Sequence, residues 1–95
     1  MKVTRQLNQW ATIHRGLGNQ NRLKILKLLT DRKAMSVGEI ADELKISFKN
    51  TSRNLRILQS LDLLEFEGRN DRVYYSINRH LDSEIVKVIN ITIPR

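Results

Sequence analysis

The spacing of apolar residues changes at Asp62, from the period of an α-helix to that of a β-strand. Before this point apolar residues recur about every three or four positions, as on a helix that buries one face. After it, residues 64–67 and 73–77 alternate apolar and polar side chains, and a turn-forming segment over residues 67–72 separates the two runs. The sequence therefore predicts a helical domain that carries a β-hairpin.

Two helices are predicted in the first third of the chain. Residues 3–14 carry apolar residues at helical spacing, and Gly16 and Gly18 are expected to end this helix. Either Asn19 or Asn21 can cap the helix that follows, because a short polar side chain accepts hydrogen bonds from the free N–H groups of the first turn. This second helix is expected to run to about Leu29.

Three more helices complete the prediction. Ser36 and Glu39 have the spacing of a capping box at the start of a short helix, and Ser47 can cap the next helix over residues 48–60. A last helix is expected over residues 81–91, after the hairpin. The predicted order is α-α-α-α-β-β-α, which is a mostly helical fold with a β-hairpin and matches a winged helix-turn-helix. We expect one domain over residues 1–95.

The helix over residues 48–60 is expected to bury one side and expose cations on the other. Successive residues of a helix are turned by about 100°, so that the two sides are separated in this segment. The side expected to be exposed carries Lys49, Arg53 and Arg56, and the side expected to be buried carries Thr51, Leu55 and Leu58. A cationic helix of this kind fits the major groove of DNA.

The charge of the chain agrees with a polyanionic partner. Lys and Arg number 17 and Asp and Glu number 10, which gives a net charge of +7. Such a balance favours nucleic acid or an acidic membrane surface, and a basic protein without such a partner is the alternative. No apolar stretch is long enough to span a membrane and no signal peptide is visible, so we expect a cytoplasmic protein that binds double-stranded DNA and no membrane.

The residue inventory argues against an enzyme. The chain has no cysteine and only two histidines, which excludes disulfides, zinc fingers and cysteine nucleophiles. A glycine-rich phosphate loop and a pair of carboxylates suited to acid–base chemistry are also missing. No catalytic residue and no cofactor are predicted.

Several segments, in order, resemble ArsR-type (ArsR/SmtB) regulators of bacteria and archaea. Residues 17–26 look like the opening of that family, residues 39–44 and 52–58 look like its helix-turn-helix, and residues 63–75 look like its wing. The resemblance implies a homodimeric transcriptional regulator, usually a repressor, that binds a palindromic operator. A winged-helix module that contacts protein or RNA without operator binding is the alternative.

The resemblance also implies a dimer interface formed by the first and last helices. Terminal amphipathic helices in so small a domain leave apolar surface for a partner subunit. The interface residues expected are Leu7, Trp10, Leu81, Ile85, Val88 and Ile89.

The residues expected to contact DNA lie on the cationic helix and on the hairpin. They are Ser47, Phe48, Lys49, Asn50, Ser52, Arg53, Arg56, Arg69 and Arg72. Arg53 is expected to read guanine and Asn50 to read adenine, whereas Arg56 contacts phosphate. Arg69 and Arg72 would meet the backbone or the minor groove. A solvated surface cation is the alternative for each.

Three residues have more than one possible role, two of them from this set and one, Arg22, from the second helix. Ser47 is first a helix cap and could also reach a phosphate. Phe48 either staples the turn before its helix or touches a thymine methyl. Arg22 could form a salt bridge inside the domain instead of meeting DNA.

A metal effector is not expected. Metal-sensing relatives often carry paired cysteines where this chain has residues 35–38, which rules out thiolate sensing. His80, Asp82 and Glu84 are weak candidates for a metal site. Alternate residues on a helix point about 200° apart, so these three side chains cannot all face one ion.

Overall fold

The structure is a computed structural model that describes residues 2–92, with side chains described for residues 7–91. The predicted fold class is confirmed: the domain is mostly helical and has a β-hairpin. A short strand that the sequence had not indicated joins the hairpin in a three-stranded antiparallel sheet of order β1-β3-β2. The elements are α1 (Lys2–Leu17), α2 (Gln20–Arg32), β1 (Ala34–Ser36), α3 (Val37–Leu44), α4 (Phe48–Ser60), β2 (Leu64–Arg69), β3 (Arg72–Ile77) and α5 (Ser83–Thr92).

The additional strand β1 connects α2 to α3. It is only three residues long, and its central residue Met35 pairs with Tyr75 of β3. A strand this short shows no alternation from which it could be predicted. Ser36 ends the strand and also caps α3, so the sheet directly determines where the helix-turn-helix begins.

The predicted end of the first helix is confirmed at Gly18, which directly follows α1, and wrong at Gly16. α1 continues to Leu17, and Gly16 lies buried in its last turn instead of ending it. Asn19 is the cap of α2, because its side-chain oxygen accepts hydrogen bonds from the backbone N–H groups of Asn21 and Arg22 at 2.9 and 3.3 Å. Only two residues therefore separate α1 from α2.

The caps predicted for α3 and α4 are confirmed. The hydroxyl of Ser36 accepts from the N–H of Glu39 at 3.2 Å, and the Glu39 carboxylate accepts from the N–H of Ser36 at 2.9 Å. The hydroxyl of Ser47 accepts from the N–H of Asn50 at 3.0 Å. Lys45, with a φ of 56°, makes the left-handed turn between the two helices. The helix-turn-helix is thus defined by local hydrogen bonds at both helix starts.

The hairpin turn is shorter than the sequence predicted. The ladder between β2 and β3 continues to the pair Arg69 and Arg72, which leaves only Asn70 and Asp71 in the turn. Both have positive φ, at 49° and 67°, which is the conformation of a type I′ turn. Asn and Asp tolerate this region better than most residues, so the turn stays tight and holds the two arginines side by side.

One hydrophobic core joins all the layers of the domain. Its buried members are Ile13, Ile25, Leu26, Leu29, Met35, Ile40, Leu55, Leu58, Leu63, Leu64, Ile85 and Ile89. A hydrogen bond of 2.6 Å from the Gln9 amide to the Asp82 carboxylate links α1 to the segment before α5. None of the helices described is both long and apolar enough to cross a membrane.

The burial of α5 changes the expected dimer surface. Ile85 and Ile89 are only 8% and 4% exposed, because they pack into the core of their own chain. They are therefore not the free apolar residues that the sequence suggested. Among the side chains described on α1 and α5, the predicted interface residue Leu7 is exposed, and so are Val86 and Ile91.

Candidate nucleic-acid interface

α4 has the two-sided character that its sequence predicts. The hydroxyl side chain of Thr51 and the side chains of Leu55 and Leu58 are fully buried. Lys49, Arg53 and Arg56 are exposed, and none of the three forms an ion pair with a carboxylate among the residues described. The helix therefore presents three cations that no described acidic side chain neutralises.

The first turn of α4 exposes the other residues expected at the interface. Phe48 is 62% exposed, so it does not staple the turn before the helix. Ser47 and Asn50 are exposed and Ser52 is half-buried. The residues of α4 and its cap that are expected to contact DNA are thus all accessible to solvent, Ser52 only in part.

A partly buried chain of hydrogen-bonded polar side chains behind this surface was not predicted. Arg22 donates hydrogen bonds to the backbone oxygens of Arg15 at 2.9 Å and Gly16 at 3.3 Å, and to Oδ1 of Asn54 at 3.3 Å. Asn54 in turn donates through Nδ2 to the backbone oxygen of Asn50 at 3.0 Å and to its Oδ1 at 2.5 Å.

The roles of these two residues differ from what the sequence suggested. Arg22 makes hydrogen bonds to carbonyl oxygens and to an amide, and not the salt bridge that had been considered. Asn54 is only 6% exposed and was missed as a functional residue. The one available signal was an uncharged polar residue four positions after Asn50, which is close enough for side-chain contact on a helix.

The wing consists of β2, β3 and the turn between them, and it carries two further exposed cations. The Arg69 guanidinium carbon lies 4.7 Å from the centre of the Tyr74 ring, and its Nε lies 4.0 Å from the Glu67 carboxylate. Arg72 lies opposite Arg69 in the ladder. The ring of Tyr74 therefore supports one of the two arginines that the tight turn brings together.

Arg72 also influences the start of α3. The hydrogen bond from the Ser36 backbone lowers the pKa of Glu39 below its ordinary value, the hydrogen bond with the Ser36 side chain lowers it further, and the positive charge of Arg72 adds a smaller effect. The lowered pKa of Glu39 is thus mainly an effect of the capping box, to which Arg72 adds.

The weak metal candidates do not come together as a site. His80 is exposed, and its backbone N–H donates to the side chain of Asn78 at 2.9 Å. The Asp82 carboxylate accepts from Gln9, and Glu84 lies in the first turn of α5. Among the residues described, no three His, Cys, Asp or Glu side chains form a group that could hold a metal ion.

Comparison with known proteins identifies the family. A family model described as bacterial regulatory protein, arsR family, matches residues 19–65. Over 80 residues the chain is 32% identical to MJ1325 of Methanocaldococcus jannaschii, an uncharacterized HTH-type transcriptional regulator, and the match covers 84% of this chain and 90% of that protein. The chain belongs to the ArsR family.

Solved structures of similar proteins share the ArsR-family architecture. The transcriptional repressor PagR of Bacillus anthracis is 25% identical with a TM-score of 0.80, over 94% of this chain and 98% of that one. The homodimeric winged helix-turn-helix DNA-binding domain of Mb0332 from Mycobacterium bovis is 28% identical with a TM-score of 0.78, over 94% of this chain and 79% of that one. This ArsR-family chain is therefore a DNA-binding transcriptional regulator with a winged helix, and not an enzyme.

Proposed function

We propose that this ArsR-family regulator is a homodimeric repressor that binds a palindromic operator. The observation that carries the proposal is the exposed cationic side of α4, formed by Lys49, Arg53 and Arg56 opposite a fully buried side. An exposed helix of this charge fits the major groove, and its fixed orientation on the core allows side chains to meet base edges in one register.

Two kinds of contact are proposed for α4. Arg53 lies in the middle of the exposed stripe, where a guanidinium can bind the N7 and O6 atoms of guanine together. Arg56 lies one turn further along, where we expect it to contact a phosphate and position the domain without reading sequence. Ser47, Lys49 and Ser52 complete the contacts at the start of the helix.

The wing is proposed to bind beside the major groove. Arg69 and Arg72 project side by side from the tight turn, and Tyr74 supports the first of them. We expect both to contact the DNA backbone or the minor groove. Phe48, which is exposed at the first turn of α4, is proposed to touch a thymine methyl group.

The proposed dimer interface combines α1 and α5. Leu7, Val86 and Ile91 are exposed apolar residues on these helices. Three half-buried apolar residues pack against the core nearby: Trp10 on α1, Val88 on α5 and Leu81 just before α5. Mb0332 is described as homodimeric and PagR as a repressor, which supports both parts of the proposal. The dimer would place two copies of α4 about 34 Å apart, one turn of DNA.

The proposal includes a cytoplasmic location, a single domain over the whole chain and no metal effector. Selection of bound DNA from a random pool tests the operator and the symmetry together, and repeating it with and without divalent metal ions tests the effector. We expect a palindromic consensus that divalent metals leave unchanged, and sedimentation of the purified protein as a dimer. Preferential binding of RNA, or selection that yields no consensus, would contradict operator binding.

A further inference from the structure

The polar chain that runs from α1 to the exposed side of α4 ends at the amide of Asn50. We propose that Asn54, held by Arg22, is a positioning residue that fixes this amide with its Nδ2 group toward the major groove. The inference rests on the proposed function, in which α4 enters that groove. As a consequence, Asn50 acts as a hydrogen-bond donor to the base that it contacts. An isolated asparagine can exchange the positions of its oxygen and its NH₂ group, so the orientation of both amides has to follow from their partners.

Donor and acceptor chemistry leaves only one orientation for Asn54. Arg22 has donors and no acceptor, so the Asn54 atom that it contacts must be the oxygen. The backbone oxygen of Asn50 has no proton to give, so the Asn54 atom facing it must be the NH₂ group. Arg22 contacts one end of the Asn54 amide and the Asn50 backbone contacts the other, and both contacts require the same orientation of the amide.

The same reasoning extends to Asn50. The second N–H of the Asn54 NH₂ group meets the side chain of Asn50, and an Asn50 NH₂ group at that place would set one donor against another. Asn50 therefore turns its oxygen inward. Its own NH₂ group lies at the other end of the amide, on the exposed side of the helix.

Burial makes the arrangement costly to reverse. Asn54 is 6% exposed, so turning it around would leave a buried donor facing Arg22 and a buried oxygen facing a carbonyl. Arg22 is itself held by two carbonyl oxygens at the end of α1, which fixes the guanidinium in place. The orientation of the Asn50 amide is therefore set by its hydrogen bond to the buried Asn54.

The outward NH₂ group predicts which base Asn50 prefers. Guanine presents two acceptors, N7 and O6, in the major groove and thymine presents only one, O4, whereas adenine and cytosine each present an amino group that requires an acceptor. The Asn50 oxygen, turned inward and bound to Asn54, is poorly placed to supply that acceptor. We therefore expect guanine at the base facing Asn50, and not the adenine that the sequence alone suggested.

Selection from a random DNA pool with four variants tests this inference. Asn50→Ala identifies the operator position that Asn50 reads, because preference should be lost there. Asn54→Leu should relax the preference for guanine at that same position by about tenfold and leave the other positions unchanged. Thr51→Ser is the matched control. It alters another buried polar residue of α4 that makes no hydrogen bond to Arg22, Asn54 or Asn50, and it should keep the preference for guanine.

Asn54→Asp supplies a second variant that does not depend on the first. Aspartate keeps the size of the side chain and can still accept from Arg22, but it has no NH₂ group to donate. Asn50 should then turn its NH₂ group inward and its oxygen outward, and the preference should move from guanine to adenine or cytosine.

Two results would overturn the inference alone. One is a wild-type consensus whose guanine preference survives in both Asn54 variants, and the other is a wild-type preference for any base other than guanine at the position that Asn50→Ala identifies. A wild-type protein that selects no consensus would overturn the proposed function together with the inference, so the two failures are distinguishable.

Discussion

Gly16 in the last turn of α1 lies directly against Leu63, which precedes β2. A Cβ atom at residue 16 would lie 2.3 Å from Cδ1 of Leu63, closer than carbon atoms approach in folded proteins. Leu63 is 1% exposed and belongs to the core, so it has little room to move. The glycine therefore allows α1 to pack closely against the segment that starts the wing.

Changing Gly16→Ala should destabilise the protein by roughly 1–2 kcal/mol. Overpacking of a core costs about 1–3 kcal/mol, and the better helix propensity of alanine recovers only part of this. Urea unfolding at a fixed protein concentration measures the effect, since the stability of a dimer depends on concentration.

Gly38→Ala is the matched control for this prediction. Gly38 also lies in a helix, α3, but a Cβ there would meet no heavy atom within 4 Å. The same substitution should therefore stabilise the protein by about 0.5–1 kcal/mol. Equal effects of the two substitutions would show that contact with Leu63 is not what requires glycine at residue 16.

Gly16 also illustrates which features of this fold could be predicted from sequence. The caps at Ser36 and Ser47 depend on contacts within three residues, and the sequence predicted both correctly. Gly16 looked like a helix end because glycine usually is one. Its actual role depends on Leu63, far along the chain, which local spacing does not reveal.

The candidate site divides in the same way. The cationic side of α4 follows from helical periodicity alone, and its exposure was predicted residue by residue. The contact between Arg22 and Asn54 joins residues on two different helices, and neither identity indicates the other. The burial of Ile85 was likewise unpredictable, because an apolar helix face packs equally well on its own core or on a partner subunit.

Glu39 provides a prediction about pH. Because its pKa is lowered in the folded protein, mainly by hydrogen bonds with Ser36, ionised Glu39 contributes stability above its unfolded pKa of about 4.3. That contribution is lost as the pH falls through the lower folded pKa. Glu39→Gln keeps an acceptor for the Ser36 N–H but cannot titrate.

The wild-type protein should therefore be more stable than Glu39→Gln at pH 7, and the difference should begin to shrink below the unfolded pKa of about 4.3 and be lost as the pH falls through the lowered folded pKa. Unfolding of the two proteins by urea at pH 7 and at about pH 3 measures this. A difference that is the same at both pH values would show that ionisation of Glu39 is not responsible.

Arg53 is the residue on which sequence-specific affinity should depend most. Arg53→Ala should weaken binding to the selected operator by about 1–3 kcal/mol and relax base preference at one position. Binding titrations with the operator and with single-base variants measure both effects. Lys27→Ala removes an exposed cation from α2, outside both the proposed DNA interface and the proposed dimer interface, and should change operator affinity far less. Equal losses in the two variants would mean that Arg53 acts only through its charge.

Arg56 should show the opposite behaviour, because we expect it to contact phosphate. Arg56→Ala should weaken binding to all DNA sequences by a similar factor and leave base preference unchanged. The loss of one phosphate contact should also reduce the slope of log affinity against log salt concentration by about one unit. Titrations at several salt concentrations, with operator and with unrelated DNA, measure both quantities. An unaltered slope would place Arg56 away from the backbone, and a loss confined to the operator would make it a base-reading residue like Arg53.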